Sequence, residues 1–146
     1  MSFLVDTNVL SAGSPASRAA YGALQAWMDR NSGRLFIPSI VVAEIVGGIE
    51  GARRAGAVRK AAALDVWFEE TMRLYAGRVL PLDKHAAHVT GVLIALARLR
   101  GQAPGFADLA IAGIATAHGL TILTRNLRHF APLDVPAHDP YAALPG

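Results

Sequence analysis

Three acids interrupt runs that are otherwise almost wholly apolar. Asp6 follows Phe3-Leu4-Val5, Glu44 falls between Ile40-Val41-Val42-Ala43 and Ile45-Val46, and Asp108 lies within Phe106-Ala107-Asp108-Leu109-Ala110-Ile111. A bare carboxylate taken into a protein interior costs several kcal/mol even after relaxation. An embedded acid is therefore paired, protonated or bound to a cation. None of the three runs contains a lysine or arginine, so the expectation is a shared acidic pocket that holds a divalent metal. Mg2+ and Mn2+ suit oxygen-only ligands. Zinc fits less well, because cysteine is absent and the converging residues are acids rather than histidines. Hard cations held by a few carboxylates are equipment for phosphodiester hydrolysis: they lower the pKa of a bound water and stabilise the attacking and leaving oxygens.

The acids must be positioned by the elements around them. Residues 2–5, 35–37, 79–82 and 121–123 are apolar runs too short for helices and read as strands, with a weak fifth near Asp134-Val135. Between them lie helical patterns. Residues 16–30 carry Leu24, Trp27 and Met28 at helical spacing, and Ser39 is placed to N-cap an apolar helix running to about Glu50. Residues 57–76 form an amphipathic stripe of Leu64, Trp67, Phe68, Met72 and Tyr75, with Gly77 where a C′ residue belongs. Asp83 caps a further helix with the stripe Val89, Val92, Leu93, Leu96 and Leu99, closed by Gly101. The last helix opens at Pro104-Gly105 and ends near His118-Gly119.

Short strands alternating with helices indicate an α/β domain with a short, mostly parallel sheet of four to five strands. In open parallel sheets, ligands bind beyond the carboxyl ends of the strands, where strand order reverses. Asp6 ends the first strand and Thr124-Arg125-Asn126 ends the fourth. Glu44 lies about a turn into the helix after the second strand, and Asp108 lies in the first turn of the helix before the fourth. All four elements can meet at one sheet edge.

Composition narrows the class. A length of 146 residues fits one domain spanning 1–146, and no repeat or linker divides it. With 53% hydrophobic and 17% charged residues the chain is not disordered. The most membrane-like stretch, residues 105–123, carries Asp108 and His118, and residues 1–6 lack the basic start of a secretory signal. Together with the lack of cysteine, this leads us to expect a soluble, cytoplasmic protein. The net charge of +3 neither demands nor forbids a nucleic-acid partner. Arg53, Arg54, Arg59 and Lys60, and Arg98 with Arg100, read as solvated faces or helix ends, while Arg125 and Arg128 flank the candidate site.

Other residues invite blander readings. His85 and His88 have metal-ligand spacing but fall in an exposed first helical turn. His129, beside Arg128, is a candidate RNA contact. Trp27 and Trp67 sit on apolar stripes and read as core or dimer contacts. Ser11 and Ser14 lack a His–Asp partner, and no phosphate-binding glycine loop is present.

The run Phe3-Leu4-Val5-Asp6-Thr7-Asn8-Val9-Leu10-Ser11 resembles the opening of PIN-domain ribonucleases. The likeness continues, in order, with Val42-Ala43-Glu44-Ile45, Ala107-Asp108-Leu109-Ala110-Ile111-Ala112 and Leu123-Thr124-Arg125-Asn126. The segment Gly77-Arg78-Val79-Leu80-Pro81-Leu82-Asp83 resembles the bacterial toxin branch. Each motif is weak alone; the ordered set is strong. The resemblance implies a three-layer α/β/α domain and a VapC-type toxin: a Mg2+-dependent endoribonuclease (Mn2+ being the alternative ion) paired with a small VapB-like antitoxin. Such toxins form homodimers or larger toxin–antitoxin assemblies. Asp6, Glu44 and Asp108 match the family's metal-binding acids. Asn126 stands where a fourth acid is often found, which favours one tightly held ion. Thr7, Asn8, Thr124 and Arg125 match positions that steady the acids or the substrate.

The leading reading is thus the toxin of a type II toxin–antitoxin module that hydrolyses RNA by metal-activated water. The alternative is a non-catalytic PIN-like binding module that acts with a DNA-binding antitoxin in autoregulation. A third, an aspartyl-nucleophile phosphatase using Asp6, needs a second acid close behind, and Thr7-Asn8-Val9 supplies none. The antitoxin is expected in a groove between the helix after Pro38 and residues 57–76, on Ile49, Trp67 and Phe68.

Overall fold

A computed structural model describes all residues from Met1 to Gly146. Five strands form one sheet: β1 (Phe3–Val5), β2 (Leu35–Pro38), β3 (Val79–Leu80), β4 (Thr121–Leu123) and β5 (Ala137–His138). Their spatial order is β3-β2-β1-β4-β5, and every pairing is parallel. In register, Phe3, Leu4 and Val5 lie against Thr121, Ile122 and Leu123. The chain builds outward from β1 to β3, then returns to the other side of β1 to add β4 and β5. Order therefore reverses between β1 and β4. All three residues of β1 are buried, as a strand with helices on both faces requires.

The helices are α1 (Thr7–Leu10), α2 (Gly22–Arg30), α3 (Ser39–Arg54), α4 (Val58–Leu74), α5 (Lys84–Leu99), α6 (Phe106–His118) and α7 (Leu127–Phe130). With the sheet they make a three-layer α/β/α arrangement, as expected. The α6 helix is apolar all round and buried continuously from Leu109 to Ala115, the pattern of a helix enclosed by protein. It ends in left-handed Gly119, φ 65°, as the sequence leads one to expect.

Four local expectations need correction. Residues 16–21 form turns, so α2 begins at Gly22 rather than at 16. Pro38, not Ser39, occupies the N-cap of α3; Ser39 Oγ instead accepts the Leu82 backbone N–H at 3.1 Å, tying α3 to the segment after β3. Gly77 does not adopt a left-handed conformation. The fifth strand lies at Ala137–His138, because Asp134 is itself in a left-handed turn, φ 53°.

The α5 stripe is also rotated. Ala86, Thr90, Leu93 and Ala97 are buried, whereas Val92 and Leu99 are 59% and 85% exposed. The reason is close approach to α6: a Cβ on Gly113 would fall 1.9 Å from Thr90 Oγ1. Such a crossing admits only small side chains, so Ala86, Thr90 and Ala97 fill it, while Leu93 of the expected stripe is buried and Val89 and Leu96 pack partly buried against the core. α3 also runs to Arg54 rather than ending near Glu50, and β3 is only Val79–Leu80. Asp83 caps α5 by accepting the Ala86 N–H at 2.9 Å, His85 and His88 are exposed, and both tryptophans are buried in the core.

Candidate active site

The reversal between β1 and β4 places Asp6 and Thr124 side by side at the carboxyl ends of neighbouring strands. Asp6 N–H donates to Leu123 O at 3.0 Å, which extends the β1–β4 pairing by one residue. The Asp6 carboxylate is then held from three directions. Thr7 N–H donates to Oδ1 at 2.8 Å, Thr124 Oγ1 donates to Oδ2 at 2.7 Å, and Asn8 Nδ2 approaches Oδ2 at 3.4 Å. Thr124 Oγ1 in turn accepts Asn126 N–H at 3.0 Å. Asp6 thus also caps α1.

Glu44 enters from α3. The buried positions of that helix are Val41, Ile45 and Ile49, at i, i+4 and i+8. Glu44 falls off this stripe and is exposed, although its sequence neighbours are apolar. The expectation of three deeply embedded acids is therefore correct only for Asp6, 5% exposed. Alternating burial on a helix lets a single polar residue face outward from an apolar run. Glu44 Oε1 accepts a 2.9 Å bond from Thr7 Oγ1, which connects α3 to the residue after Asp6.

Asp108 occupies the first turn of α6, with its side chain 25% exposed. Its Oδ2 lies 3.1 Å from His129 Nδ1 of α7. A recess beside this pair, about 270 Å3 in volume, is lined by Gln102, Gly105, Asp108, Arg128 and His129. Asn126 begins α7, and its side chain makes no hydrogen bond.

The electrostatics link the acids. Burial pushes the Asp6 carboxyl above its ordinary value; the Thr124 hydroxyl and Thr7 amide oppose this, and the charges of Asp108 and Glu44 add to it. None of the three acids pairs with a lysine or arginine; among the ion pairs only His129 touches one of them. As arranged here, no three of these carboxylates and histidines close into a ready ligand shell, since Glu44 turns to Thr7 and Asp108 to His129. The donor set still fits a hard divalent cation. It consists of carboxylate oxygens that repel one another and lack lysine or arginine partners.

The rim carries a feature that sequence reasoning missed. Tyr141, in the segment after β5, donates its hydroxyl to Asn8 O at 2.6 Å across 133 residues of sequence, and Arg125 N–H donates to Asn8 Oδ1 at 3.1 Å. No periodicity marks such a link, because Tyr141 lies outside every regular element. The expected groove between α3 and α4 is present, about 260 Å3, with Glu44, Ile45, Gly48, Leu64 and Trp67 among its lining. Ile49 and Trp67 reach it only from the core, and Phe68 does not line it.

The family model of the PIN domain matches residues 3–135. Toxin FitB of Neisseria gonorrhoeae is 30% identical over 139 residues, covering 94% of this chain and 97% of that protein. VapC ribonuclease Y4jK of Sinorhizobium fredii is 36% identical over 135 residues, covering 90% and 94%. Among solved structures, FitAcB of N. gonorrhoeae superposes with a TM-score of 0.79 at 29% identity, covering 95% of this chain and 98% of the matched one. DNA-bound VapBC of Salmonella typhimurium gives 0.77 at 27% identity, with the same coverage.

Proposed function

This chain belongs to the PIN-domain family, and on that basis we propose that it is a metal-dependent endoribonuclease, the toxin of a type II toxin–antitoxin module. What supports the reading is that Asp6 lies near enough to Glu44 and Asp108 for their charges to raise its carboxyl, while none of the three has a lysine or arginine partner. Acids kept together at an energetic cost, beyond the carboxyl ends of parallel strands, are explained by a ligand that needs negative charge.

Each acid has its own task and support. Asp6 is the fixed point, because the Thr7 amide and Thr124 hydroxyl hold its two oxygens and leave it little freedom. Glu44 is steered by Thr7 and remains at the solvent side, free to turn inward. Asp108 is oriented by His129. These three would hold the divalent ion, Mg2+ in the first instance and Mn2+ as a substitute. When bound, such an ion supplies a water of lowered pKa and offsets charge at the phosphodiester. Asn126 offers a neutral amide where a fourth acid would add charge, which favours a single ion. Thr7, Asn8, Thr124 and Arg125 position the acids and the RNA. With water activated by the ion as the attacking group, the ribose 2′-hydroxyl takes no part, and the cut ends would carry 5′-phosphate and 3′-hydroxyl.

The partner is a small VapB-like antitoxin, as in the FitAB and VapBC complexes named for the structural relatives, and we assign it to the α3–α4 groove beside Glu44. The working form is a homodimer or a larger toxin–antitoxin assembly. No helix is long and apolar enough to cross a membrane, and the cytoplasm, where RNA is present, is the place of action. The test is sequencing of RNA ends after induced expression. Cleavage with 5′-phosphate ends is expected from the parent and absent from Asp6→Asn. Cyclic phosphate ends, or undiminished toxicity of the variant, would overturn the reading; the latter would favour the non-catalytic alternative.

A further inference from the structure

Next to the acids stands a cation that has no acidic partner. Arg125 directly follows Thr124, is exposed, and takes part in none of the ion pairs of the chain. It is not loose. Its guanidinium carbon lies 4.3 Å from the centre of the Tyr141 ring and 5.9 Å from that of Tyr21. The two rings meet edge to face, with centroids 4.9 Å apart at 86°. Asn8 locks the group to the acidic rim: it accepts from the Tyr141 hydroxyl and from the Arg125 amide, and its own amide approaches Asp6. Beside the rings opens an apolar recess of about 280 Å3, lined by Ala20, Tyr21, Leu24, Pro140, Tyr141 and Leu144.

A planar cation resting on aromatic rings, with an apolar recess beside it, matches a ligand that has both a negative backbone and flat, π-faced groups. Bases of single-stranded RNA stack on aromatic rings and guanidinium planes, and they do so with little regard to sequence. Duplex bases have no free face to offer. An acidic peptide would use the charge but leave the rings and recess without a purpose. We propose that Tyr21, Arg125 and Tyr141 form a nucleotide subsite, in which a base flanking the scissile phosphate of single-stranded RNA stacks on this shelf while the arginine meets the backbone. The subsite rests on the ribonuclease reading above.

The test uses full-length protein carrying Asp108→Asn, so that binding is read without cleavage. Two fluorescein-labelled probes of equal length are compared by anisotropy: a short single-stranded RNA of mixed sequence and an abasic ribose-phosphate strand. Tyr21→Leu and Tyr141→Leu, and Arg125→Lys (which keeps charge but loses the plane), weaken the base-bearing strand about tenfold and leave the abasic strand nearly unchanged. Tyr141→Phe, which keeps the ring but loses the bond to Asn8, is expected to lose less binding than Tyr141→Leu. If Tyr141→Leu fails to fold, Tyr21→Leu and Arg125→Lys still decide, since neither touches the Asn8 bonds made by Tyr141. Equal loss of both probes reduces the shelf to bare charge and overturns the proposal. Unchanged RNA binding does so too, including the case in which capture of the antitoxin is lost instead, which would give the shelf to a protein. A parent that cleaves RNA while these variants bind normally removes the subsite alone; a parent that cleaves no RNA removes the ribonuclease reading itself.

Discussion

The Thr124 hydroxyl donates a 2.7 Å hydrogen bond to Asp6 Oδ2, and both residues are buried. The bond joins the carboxyl ends of adjacent parallel strands at the point where the strand order reverses. A buried bond to a charged group contributes about 1.5–3 kcal/mol net. Thr124→Val, similar in shape but without the donor, should therefore lower the unfolding free energy by about that amount, while Thr124→Ser should stay near the parent. Urea titration of the three proteins measures this. Equal stability of Val and parent would show that the hydroxyl does not support Asp6.

A second prediction concerns pH. Burial holds the Asp6 carboxyl above its ordinary value near 3.8, so the folded state binds this proton more tightly than the unfolded state does. The contribution of Asp6 to stability is then fully present below that ordinary value and is lost as pH rises through the elevated one. In metal-free protein, Asp6→Asn should be the more stable form at neutral pH, with the gap closing in acid. Thermal melts across pH decide the sign; a variant less stable than the parent at pH 7 would contradict it.

The α5–α6 crossing makes a third prediction, independent of function. A methyl at Gly113 would meet Thr90 Oγ1 at 1.9 Å and Ala86 O at 3.1 Å. Gly113→Ala should cost about 1–3 kcal/mol through overpacking. Thr90→Ala in the same chain should recover part of that loss, because the two sites are in contact and do not add. A fully additive double mutant would mean that the helices are not so close.

Much of this was legible in the sequence because the signals are local. Runs such as Phe3-Leu4-Val5 and Thr121-Ile122-Leu123 are too short and too apolar to be anything but buried strands. The cap at Asp83 and the left-handed Gly101 and Gly119 announce their helix boundaries. The order of acid-bearing motifs carried the family. What could not be read is set by distant packing. Glu44 looks embedded among apolar neighbours, yet α3 turns it outward. On α5, Thr90 packs against Gly113, more than twenty positions away, and only Val92 and Leu99 of the expected stripe are left exposed. Tyr141 reaches Asn8 from the far end of the chain. The α3–α4 groove was foreseen as a place, but its three expected anchors are all core residues, and Phe68 does not line it.

The account stands or falls on whether Asp6, Glu44 and Asp108 act together on one cation. Calorimetric titration of Mg2+ into the antitoxin-free protein tests this without reference to RNA. The parent is expected to bind a single ion, Asp6→Asn and Asp108→Asn to lose that binding, and Glu44→Gln to weaken it, while Asp83→Asn, at the α5 cap, leaves it intact. Undiminished binding in all three site variants would contradict the account.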